Sequence, residues 1–248
     1  MKISEPLKFD DTDREDIYDY VERRGEVDLD EAQKDLFPYD EKAFLHHLSV
    51  LKRRGYLREE DGVLRVEYET GEDEVEYEVD GLSFAIRPAT DDDVDELVEA
   101  IRSVADERRY IVAESVAEQV DHEEVLFRHN EIKSRMFLVA EVEDDIVGWA
   151  HISAPEFEKL RHTAELTFGV VDEHRGHGIG SKLLDRALRW GNVNGYEKLY
   201  NSVPATNEEA IEYLKERGCE VEAVREDHYR IDGDYVDEVM LAVRPGSD

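Results

Sequence analysis

Apolar residues recur at helical spacing in three successive segments near the start of the chain, at residues 13–25, 28–38 and 40–55. Each segment begins at or near an aspartate, which can accept hydrogen bonds from the free N–H groups of a first helical turn, and each ends at a glycine or before a proline. The apolar stripe of the third segment consists of Phe44, Leu45, Leu48 and Leu51. The pattern predicts three short helices.

The pattern then changes from helical spacing to alternation. Residues 56–58 and 63–66 flank Asp61-Gly62, a dipeptide that favours a tight hairpin turn. Three helices followed by a hairpin resemble a winged helix-turn-helix domain. In that family the outward side of the third helix enters the major groove of DNA, and nearby cations contact phosphate. The corresponding residues here are Lys42, His46, His47, Ser49, Lys52, Arg53 and Arg65.

The charge of this segment argues against a nucleic-acid role. Residues 1–80 contain 12 Lys plus Arg and 26 Asp plus Glu, a net charge of −14, whereas a DNA-binding domain shows a basic surface. Acidic residues also occupy the expected tip of the wing, at residues 59–61. DNA binding is therefore possible but not favoured, and a role in protein docking, dimerisation or substrate gating is preferred.

An acidic connector follows over residues 70–78. The alternation of apolar and acidic side chains over residues 75–79 could form an edge strand. We place the domain boundary near Asp80. The expected organisation is a first, winged-helix-like domain of residues 1–80 and a second domain of residues 81–248.

The second domain begins with mixed strand and helix patterns. A helix starting at Thr90 or Asp91 carries apolar residues at helical spacing as far as Ile101. A strand precedes this helix, and a second helical region, a hairpin and a third strand follow it. These elements are predicted at residues 84–87, 114–131, 136–142 with 146–152, and 164–171.

The third of these strands runs directly into a glycine-rich loop. Gly176, Gly178 and Gly180 precede a segment whose apolar residues recur at helical spacing. The N–H groups at the start of such a helix have no partner within the helix, and glycines let an anion approach them closely. Neither a P-loop nor a dinucleotide-binding spacing is present. The loop is therefore either a tight turn or a phosphate-binding site.

The residues around this loop carry a family resemblance. Arg175-x-x-Gly178-x-Gly180, preceded by the strand at Val170, resembles the acetyl-CoA motif of the GNAT superfamily of N-acetyltransferases. The resemblance extends over residues 84–243 and ends in a hairpin at residues 229–240. It implies a mixed α/β fold with flanking helices, in which a largely antiparallel sheet splays at the cofactor site.

The resemblance also implies where acetyl-CoA binds. The pyrophosphate would lie on the N–H groups of the loop, the pantetheine and acetyl carbons along the third strand, and an asparagine amide against the pantetheine arm. Asn207 suits a helix cap as well, and the two roles are compatible. The cofactor-binding residues expected in this way are Phe168, Val170, Arg175, Gly176, His177, Gly178, Gly180, Ser181 and Asn207.

Acetyl transfer to an amine requires a base that takes the amine proton and an acid near the departing thiolate. Glu165, on the third strand, is the candidate base, although a solvated strand residue fits the pattern too. The family often has its acid, a tyrosine, at the position of Leu214, so Tyr213 is the candidate here. A shift of one residue turns a helical side chain by about 100°, which favours packing of Tyr213 in the core. The lesser candidates for these roles are His151, Asp227, His228 and Tyr229.

Two further kinds of chemistry are not expected. Cys219 replaces an aromatic core residue of the family, and direct transfer needs no covalent intermediate on the enzyme. The histidine pairs His46-His47 and His174-x-x-His177 lack further ligands at convincing spacing, so no metal is expected.

The charge of the whole chain is extreme. It contains 64 Asp plus Glu against 31 Lys plus Arg, a formal net charge of −33. Acid spread over the whole length is typical of proteins from salt-loving organisms, and a surface that attracts cationic substrates is the alternative. One cysteine, no apolar leader and no long apolar run lead us to expect a cytoplasmic protein that does not enter the membrane.

These observations favour an N-acetyltransferase that moves an acetyl group from acetyl-CoA to a primary amine by direct attack. The amine could belong to a small molecule or to a protein, and a homodimer is possible. The alternative is a winged-helix transcriptional regulator whose GNAT-like domain senses CoA thioesters. Turnover of acetyl-CoA distinguishes the two, since a sensor would bind the thioester without releasing CoA.

Overall fold

Three helices and a small sheet form the N-terminal unit, residues 1–69. The computed structural model describes residues 1–69, 74–105, 111–155 and 157–246. The helices are α1 (Thr12–Arg24), α2 (Leu29–Leu36) and α3 (Glu41–Arg53). The three predicted helices are thus confirmed.

Aspartate side chains cap all three helices. The Oδ1 atoms of Asp11, Asp28 and Asp40 accept hydrogen bonds from backbone N–H groups in the first turns, at 3.0, 3.1 and 3.0 Å. Asp28 is therefore the cap of α2, and α1 begins slightly earlier than predicted. Caps of this kind satisfy N–H groups that a helix leaves unpaired.

The small sheet contains the predicted hairpin and one strand that the sequence pattern did not reveal. Its strands β1 (Glu26–Asp28), β2 (Leu57–Glu60) and β3 (Val63–Val66) are antiparallel in the order β1-β3-β2. Asp61 and Gly62 have φ values of 52° and 82°, as the predicted tight turn requires.

The inward face of α3 differs from the prediction at one position. Phe44, Leu48 and Leu51 are buried, but Leu45 is 44% exposed and Val50 is buried instead. The prediction for Leu45 was therefore wrong. Because α3 packs against α1, α2 and β2, the position of these neighbours, and not the spacing alone, decides which residue at the edge of the apolar stripe is buried.

A nine-stranded sheet dominates the C-terminal unit, residues 74–246. Eight strands follow the order β11-β12-β10-β9-β8-β7-β5-β4, and β6 pairs with β7. Neighbouring strands are antiparallel except β9 and β10, which are parallel. The strands are β4 (Val75–Val79), β5 (Leu82–Pro88), β6 (Arg128–His129), β7 (Lys133–Val142), β8 (Asp145–Pro155), β9 (Thr163–Val170), β10 (Lys198–Pro204), β11 (Glu220–Ile231) and β12 (Asp234–Val243).

The predicted edge strand at the connector is present as β4, which pairs with β5 at the edge of the large sheet. Residues 70–73 of the connector lie outside the described residues. Because β4 belongs to the large sheet, strand pairing assigns residues 75–79 to the C-terminal unit. The boundary near Asp80 stays a prediction.

Four helices cover the two faces of the large sheet: α4 (Val94–Ala105), α5 (Ile111–Glu123), α6 (Ile179–Val193) and α7 (Glu208–Glu216). Buried residues of α6 and α7 share one core with β9 and β10, and those of α4 and α5 share another with β7 and β8 on the opposite face. The helical region predicted over 114–131 ends at Glu123. Residues 128–129 instead form β6, because they pair with β7.

No helix within the described residues is long and apolar enough to cross a membrane.

Candidate functional site

A cleft opens where the parallel strands β9 and β10 separate. The two strands pair only from Thr163 to Glu165 on β9, opposite residues 198–200 on β10. Beyond this point β9 continues beside β8 alone, and residues of both strands line a cleft of about 420 Å³. Side chains from α5 line it on one face of the sheet, and those from α6 and α7 on the other. The cleft therefore passes through the sheet.

The glycine loop forms one end of this cleft. Gly176 and Gly178 have φ values of 80° and 82°, a conformation that glycine adopts without strain. Gly178 immediately precedes α6, and a side chain at this position would meet Val79 Cγ1 at 3.2 Å. The loop thus brings the unpaired N–H groups at the start of α6 to the cleft, where a phosphate could bind them.

Arg175 is held beside this loop. Its Nε donates to the carbonyl oxygen of Val170 at 2.8 Å, and its guanidinium pairs with Asp172. The end of β9 and the loop are thereby tied together.

Most of the residues predicted to bind the cofactor line the cleft. These are Phe168, Val170, Arg175, Gly176, Gly178, Gly180, Ser181 and Asn207. His177 is exposed and lies outside the lining, whereas His174, which sequence reasoning did not select, is part of it. Asn207 caps α7, because its Oδ1 accepts from Ala210 N at 3.2 Å.

Tyr213 lines the cleft and also packs against the core that α7 shares with β9, so the expected packing is combined with a place at the cleft. Its hydroxyl donates to Ser181 Oγ at 3.2 Å, and Arg217 donates to the same oxygen at 2.7 Å. The guanidinium of Arg217 also lies over the Tyr213 ring, 3.6 Å from its centre. Leu214, at the position of the family's tyrosine, is 3% exposed and lies in the same core at the wall of the cleft. Burial raises the pKa of Tyr213, so its hydroxyl stays protonated at neutral pH.

Glu165 lies at the point where β9 and β10 separate. It is the last residue of β9 paired with β10, opposite Tyr200. Along β9 it is two residues from Thr167, which lines the cleft, so both side chains lie on the same face of the sheet. Burial, and then the carboxylate of Glu238, raise the pKa of Glu165. Glu165 is not itself part of the cleft lining among the described residues.

Glu238 is a buried carboxylate that sequence reasoning missed. It is 3% exposed, and it accepts hydrogen bonds from Arg225 Nη1 at 2.8 Å and from the Tyr229 hydroxyl at 3.0 Å. Burial, followed by the hydrogen bond to Glu238, raises the pKa of Tyr229. The one sequence signal was an acidic residue beside the apolar residues 239–242 of the last strand, which predicts burial on one face.

Two other candidates are poor acids or bases at neutral pH. Burial, and then the charges of Arg135 and Lys133, lower the pKa of His151 to about 3. Burial raises the pKa of the Cys219 thiol to about 11, which disfavours the nucleophilic thiolate.

Two of the four Lys and Arg residues expected to contact DNA form ion pairs within the N-terminal unit. Lys52 Nζ contacts Glu59 Oε2 at 2.7 Å, and Arg65 pairs with Glu26. Lys42, His46 and Ser49 are exposed, as predicted.

His47, by contrast, does not point outward. Its ring lies 3.8 Å from a carboxylate oxygen of Asp11 and 3.5 Å from one of Asp13, and its side chain is only 12% exposed. Among the described residues this trio alone brings three side chains of metal-ligating type within 4.8 Å of one another. It lies in the N-terminal unit and shares no residue with the cleft.

Comparisons with known proteins agree with the fold of the C-terminal unit. The model of the acetyltransferase (GNAT) family matches residues 97–219. Spermidine N(1)-acetyltransferase from Vibrio cholerae serotype O1 is 26% identical over 117 residues, which cover 46% of this chain and 66% of that protein.

Solved structures show the same fold. An acetyltransferase of the GNAT family from Streptococcus pneumoniae superposes with a TM-score of 0.54 at 22% identity, covering 65% of this chain and 99% of that one. The yncA protein from Salmonella typhimurium, solved with its cofactor acetyl-CoA, gives 0.53 at 20% identity, with 66% and 95% covered.

Together these matches support an α/β GNAT fold for this chain and a likeness to the acetyltransferase (GNAT) family over residues 97–219. They give no support to the interpretation as a regulator. The family match begins at Leu97, so the winged-helix resemblance of the N-terminal unit stays a prediction.

Proposed function

We propose that this protein transfers an acetyl group from acetyl-CoA to a primary amine by direct attack. The observation that carries the proposal is the cleft itself. A glycine loop at a helix start lines the cleft, and a carboxylate with a raised pKa lies at the point where β9 and β10 separate. The loop suits the phosphates of a CoA thioester, and the carboxylate suits an amine that must lose a proton.

The proposed cofactor position follows from the free edge of β9. Beyond Leu166, whose carbonyl oxygen accepts a hydrogen bond from the Asn201 side chain, backbone groups of β9 on the side of β10 have lost their strand partner, so an extended pantetheine arm can bond there as a further strand would. This places the arm beside Phe168 and Val170 and the pyrophosphate on the loop from Gly176 to Ser181.

The acceptor amine would then enter from the opposite face, where α5 lines the cleft. Thr167 lines this face, and Glu165 lies two residues before it. The raised pKa of Glu165 makes its carboxylate a stronger base than an exposed glutamate. Glu165 takes the amine proton, directly or through one water.

The neutral amine attacks the thioester carbonyl, so that a C–N bond forms and the C–S bond breaks, and the nitrogen of the new amide loses its second proton to water. The departing thiolate then needs a proton. Tyr213 is the proposed donor, because its hydroxyl is protonated at neutral pH and faces the cleft. Its hydrogen bond to Ser181 fixes the hydroxyl at the loop.

A cationic small molecule is the proposed class of acceptor. The carboxylate of Glu165 lies on the acceptor side, and the whole chain carries a net charge of −33, which raises the local concentration of cations. The Vibrio cholerae relative is a spermidine N(1)-acetyltransferase, so polyamines are the first amines to test.

The proposal is tested by measuring CoA release with a panel of amines. The panel contains spermidine, putrescine, an aminoglycoside, amino acids and a peptide with a free N-terminus. We expect amine-dependent CoA release and an acetylated product whose mass is confirmed by mass spectrometry. Tight binding of acetyl-CoA without CoA release for any amine would contradict the proposal and favour a sensor.

A further inference from the structure

A buried network of charged and polar groups joins the N-terminal unit to the end of α5. Glu22 on α1 is 3% exposed, and Arg135 on β7 is 2% exposed. Arg128 and His129, which form β6 between them, are 9% and 0% exposed. Charged side chains are rarely buried to this extent unless they are paired.

Glu22 holds β6 from the side of the N-terminal unit. Its Oε1 accepts from the backbone N of His129 at 3.2 Å and from Asn130 Nδ2 at 2.9 Å. Its carbonyl oxygen accepts from Arg128 Nη1 at 2.8 Å. One turn earlier on α1, the Tyr18 hydroxyl donates to the carbonyl oxygen of His129 at 2.8 Å. Two residues of α1 thus hold the edge of this two-residue strand that is not paired with β7.

The same Arg128 extends the network to α5. Its Nε donates to Oε2 of Glu123, the last residue of α5, at 3.2 Å. Glu123 also accepts from Lys133 Nζ at 2.7 Å and from Arg135 Nη2 at 3.0 Å. Burial acts to raise the pKa of Glu123, but the hydrogen bond from Lys133 and the charge of Arg135 outweigh it and lower this pKa. Three cations therefore fix the end of this helix.

The other end of α5 forms a wall of the cleft. Val112 and Ala113, in its first turn, line the cleft on the face of β9 that carries Thr167. Thirteen residues of α-helix form a stiff rod of about 20 Å, so a displacement at Glu123 reaches the first turn. The glycine loop is held by contacts with α6 and β9 instead, on the opposite face.

We infer that the N-terminal unit braces α5 through Glu22, and that Glu22 is a positioning residue for the acceptor amine. The positioning role rests on the proposed function, because that function identifies the ligand as an amine. The brace of α5 rests on the hydrogen-bond network alone. Without the Glu22 side chain, the N–H of His129 and the amide of Asn130 lose their acceptor. Arg128 keeps its hydrogen bonds to Glu123 and to the backbone carbonyl oxygen of residue 22, but β6, which carries Arg128, loses part of its support from α1, so the anchor of α5 is weakened.

The test compares Glu22→Ala with Asp16→Ala, a change at an exposed acid on the same helix. Three quantities are measured: hydrogen exchange of the amides of residues 112–123, the affinity for acetyl-CoA by calorimetry, and the KM of the fastest amine of the panel. We expect Glu22→Ala to speed amide exchange in α5 and to raise the amine KM by at least about threefold. We expect the affinity for acetyl-CoA to change by less than about twofold. Asp16→Ala should change none of the three.

A milder variant tests the inference in case the Glu22→Ala protein does not fold. Tyr18→Phe removes a single hydroxyl that bonds His129, and we expect changes in the same direction but smaller. Unchanged exchange in α5 in a folded Glu22→Ala protein would overturn the brace. Faster exchange together with an unchanged amine KM would overturn the positioning role. If no amine is acetylated by the wild type, the proposed function fails, while the exchange data still decide the brace.

Discussion

At the scale of single residues, the chemistry depends on the environment of Glu165. A carboxylate that is partly buried next to a second carboxylate binds a proton more tightly, which suits it to accept one from an amine. Tyr213 lies further along the cleft, at the loop, where it contacts Ser181. The two side chains therefore have separate proposed roles.

We predict that Glu165→Gln lowers kcat more than Tyr213→Phe does. Loss of a general base costs about 10²- to 10⁴-fold, whereas a missing acid can be replaced in part by water at the open end of the cleft. Steady-state kinetics with the fastest amine measures both variants, and calorimetry with acetyl-CoA checks that each still binds the thioester. The reverse ranking would make Tyr213 the more important group and Glu165 a structural residue.

His151 should make stability dependent on pH. Both of its ring nitrogens lack a hydrogen-bond partner among the described residues, and its folded-state pKa of about 3 lies below the ordinary value of 6.5. A histidine with a lowered folded pKa is held neutral, so its contribution to stability is present above pH 6.5 and is lost as pH falls toward 3.

We predict that the unfolding free energy of the wild type falls by about 2 kcal/mol more than that of His151→Leu between pH 7 and pH 5. Urea unfolding at the two pH values measures the difference. His162→Leu, at an exposed histidine, is the control and should behave as the wild type. An identical pH dependence in His151→Leu and wild type would show that His151 binds its proton equally well in the folded and the unfolded protein.

At the scale of elements, the glycine loop is a local structure whose function can be tested separately from its strain. Gly178 and Gly62 both have φ of 82°, but only Gly178 lies at the cleft, and nothing lies within 4 Å of a side chain placed at Gly62. A glutamate at either position therefore introduces similar backbone strain.

We predict that Gly178→Glu weakens acetyl-CoA binding by at least about 100-fold, or roughly 2.7 kcal/mol, because a negative side chain enters the proposed phosphate site. Gly62→Glu should lower the melting temperature but leave the affinity unchanged. Calorimetric titration of both variants gives the comparison. Equal affinities for the two folded variants would remove the loop from the cofactor site.

Elements whose signals are local were predictable from the sequence. The cap at Asp40, the turn at Asp61-Gly62 and the loop at Gly178 depend on a few neighbouring residues, and each is found where it was expected. Features that depend on contacts with residues far away in the sequence were not predictable. The three-residue strand β1 exists because it pairs with β3, and α5 ends early because β6 pairs with β7.

The residues of the candidate site divide in the same way, into those predictable from local sequence and those set by tertiary packing. The loop and Asn207 were predictable from the motif, whereas the orientation of Tyr213 and the burial of Glu238 depend on how α7 and β12 pack. Sequence spacing could not show that Glu22, more than one hundred residues from Arg128, contacts it. Contacts across such separations are decided by tertiary packing.

At the scale of the whole molecule, charge governs both partners and stability. Residues 1–80 carry a net charge of −14, and several of their cations are paired with carboxylates. Such a surface repels the phosphates of DNA and releases few counterions on contact. We predict that the protein binds arbitrary duplex DNA more weakly than about 1 μM at 50 mM salt. Fluorescence anisotropy with several unrelated duplexes measures this, and nanomolar binding would reverse our preference for a role that does not involve DNA.

The stability of the folded protein should depend on salt concentration. The chain carries 64 carboxylates, which repel one another across the folded surface, and the Debye length falls from about 10 Å at 0.1 M to about 3 Å at 1 M salt. Screening therefore favours the folded state. Exposed ion pairs, such as Arg54 with Asp10 at 2.7 Å, weaken in salt as well, but each contributes only about 0–1 kcal/mol.

We therefore predict that the melting temperature rises between 0.1 M and more than 1 M KCl. A melting series in KCl measures the trend, and a protein of near-zero net charge provides the control for general salt effects. The slope should exceed that of the control, because only the acidic chain loses self-repulsion on screening. A flat or falling curve would mean that the acidity is not an adaptation to salt, and it would favour a surface that attracts cationic substrates.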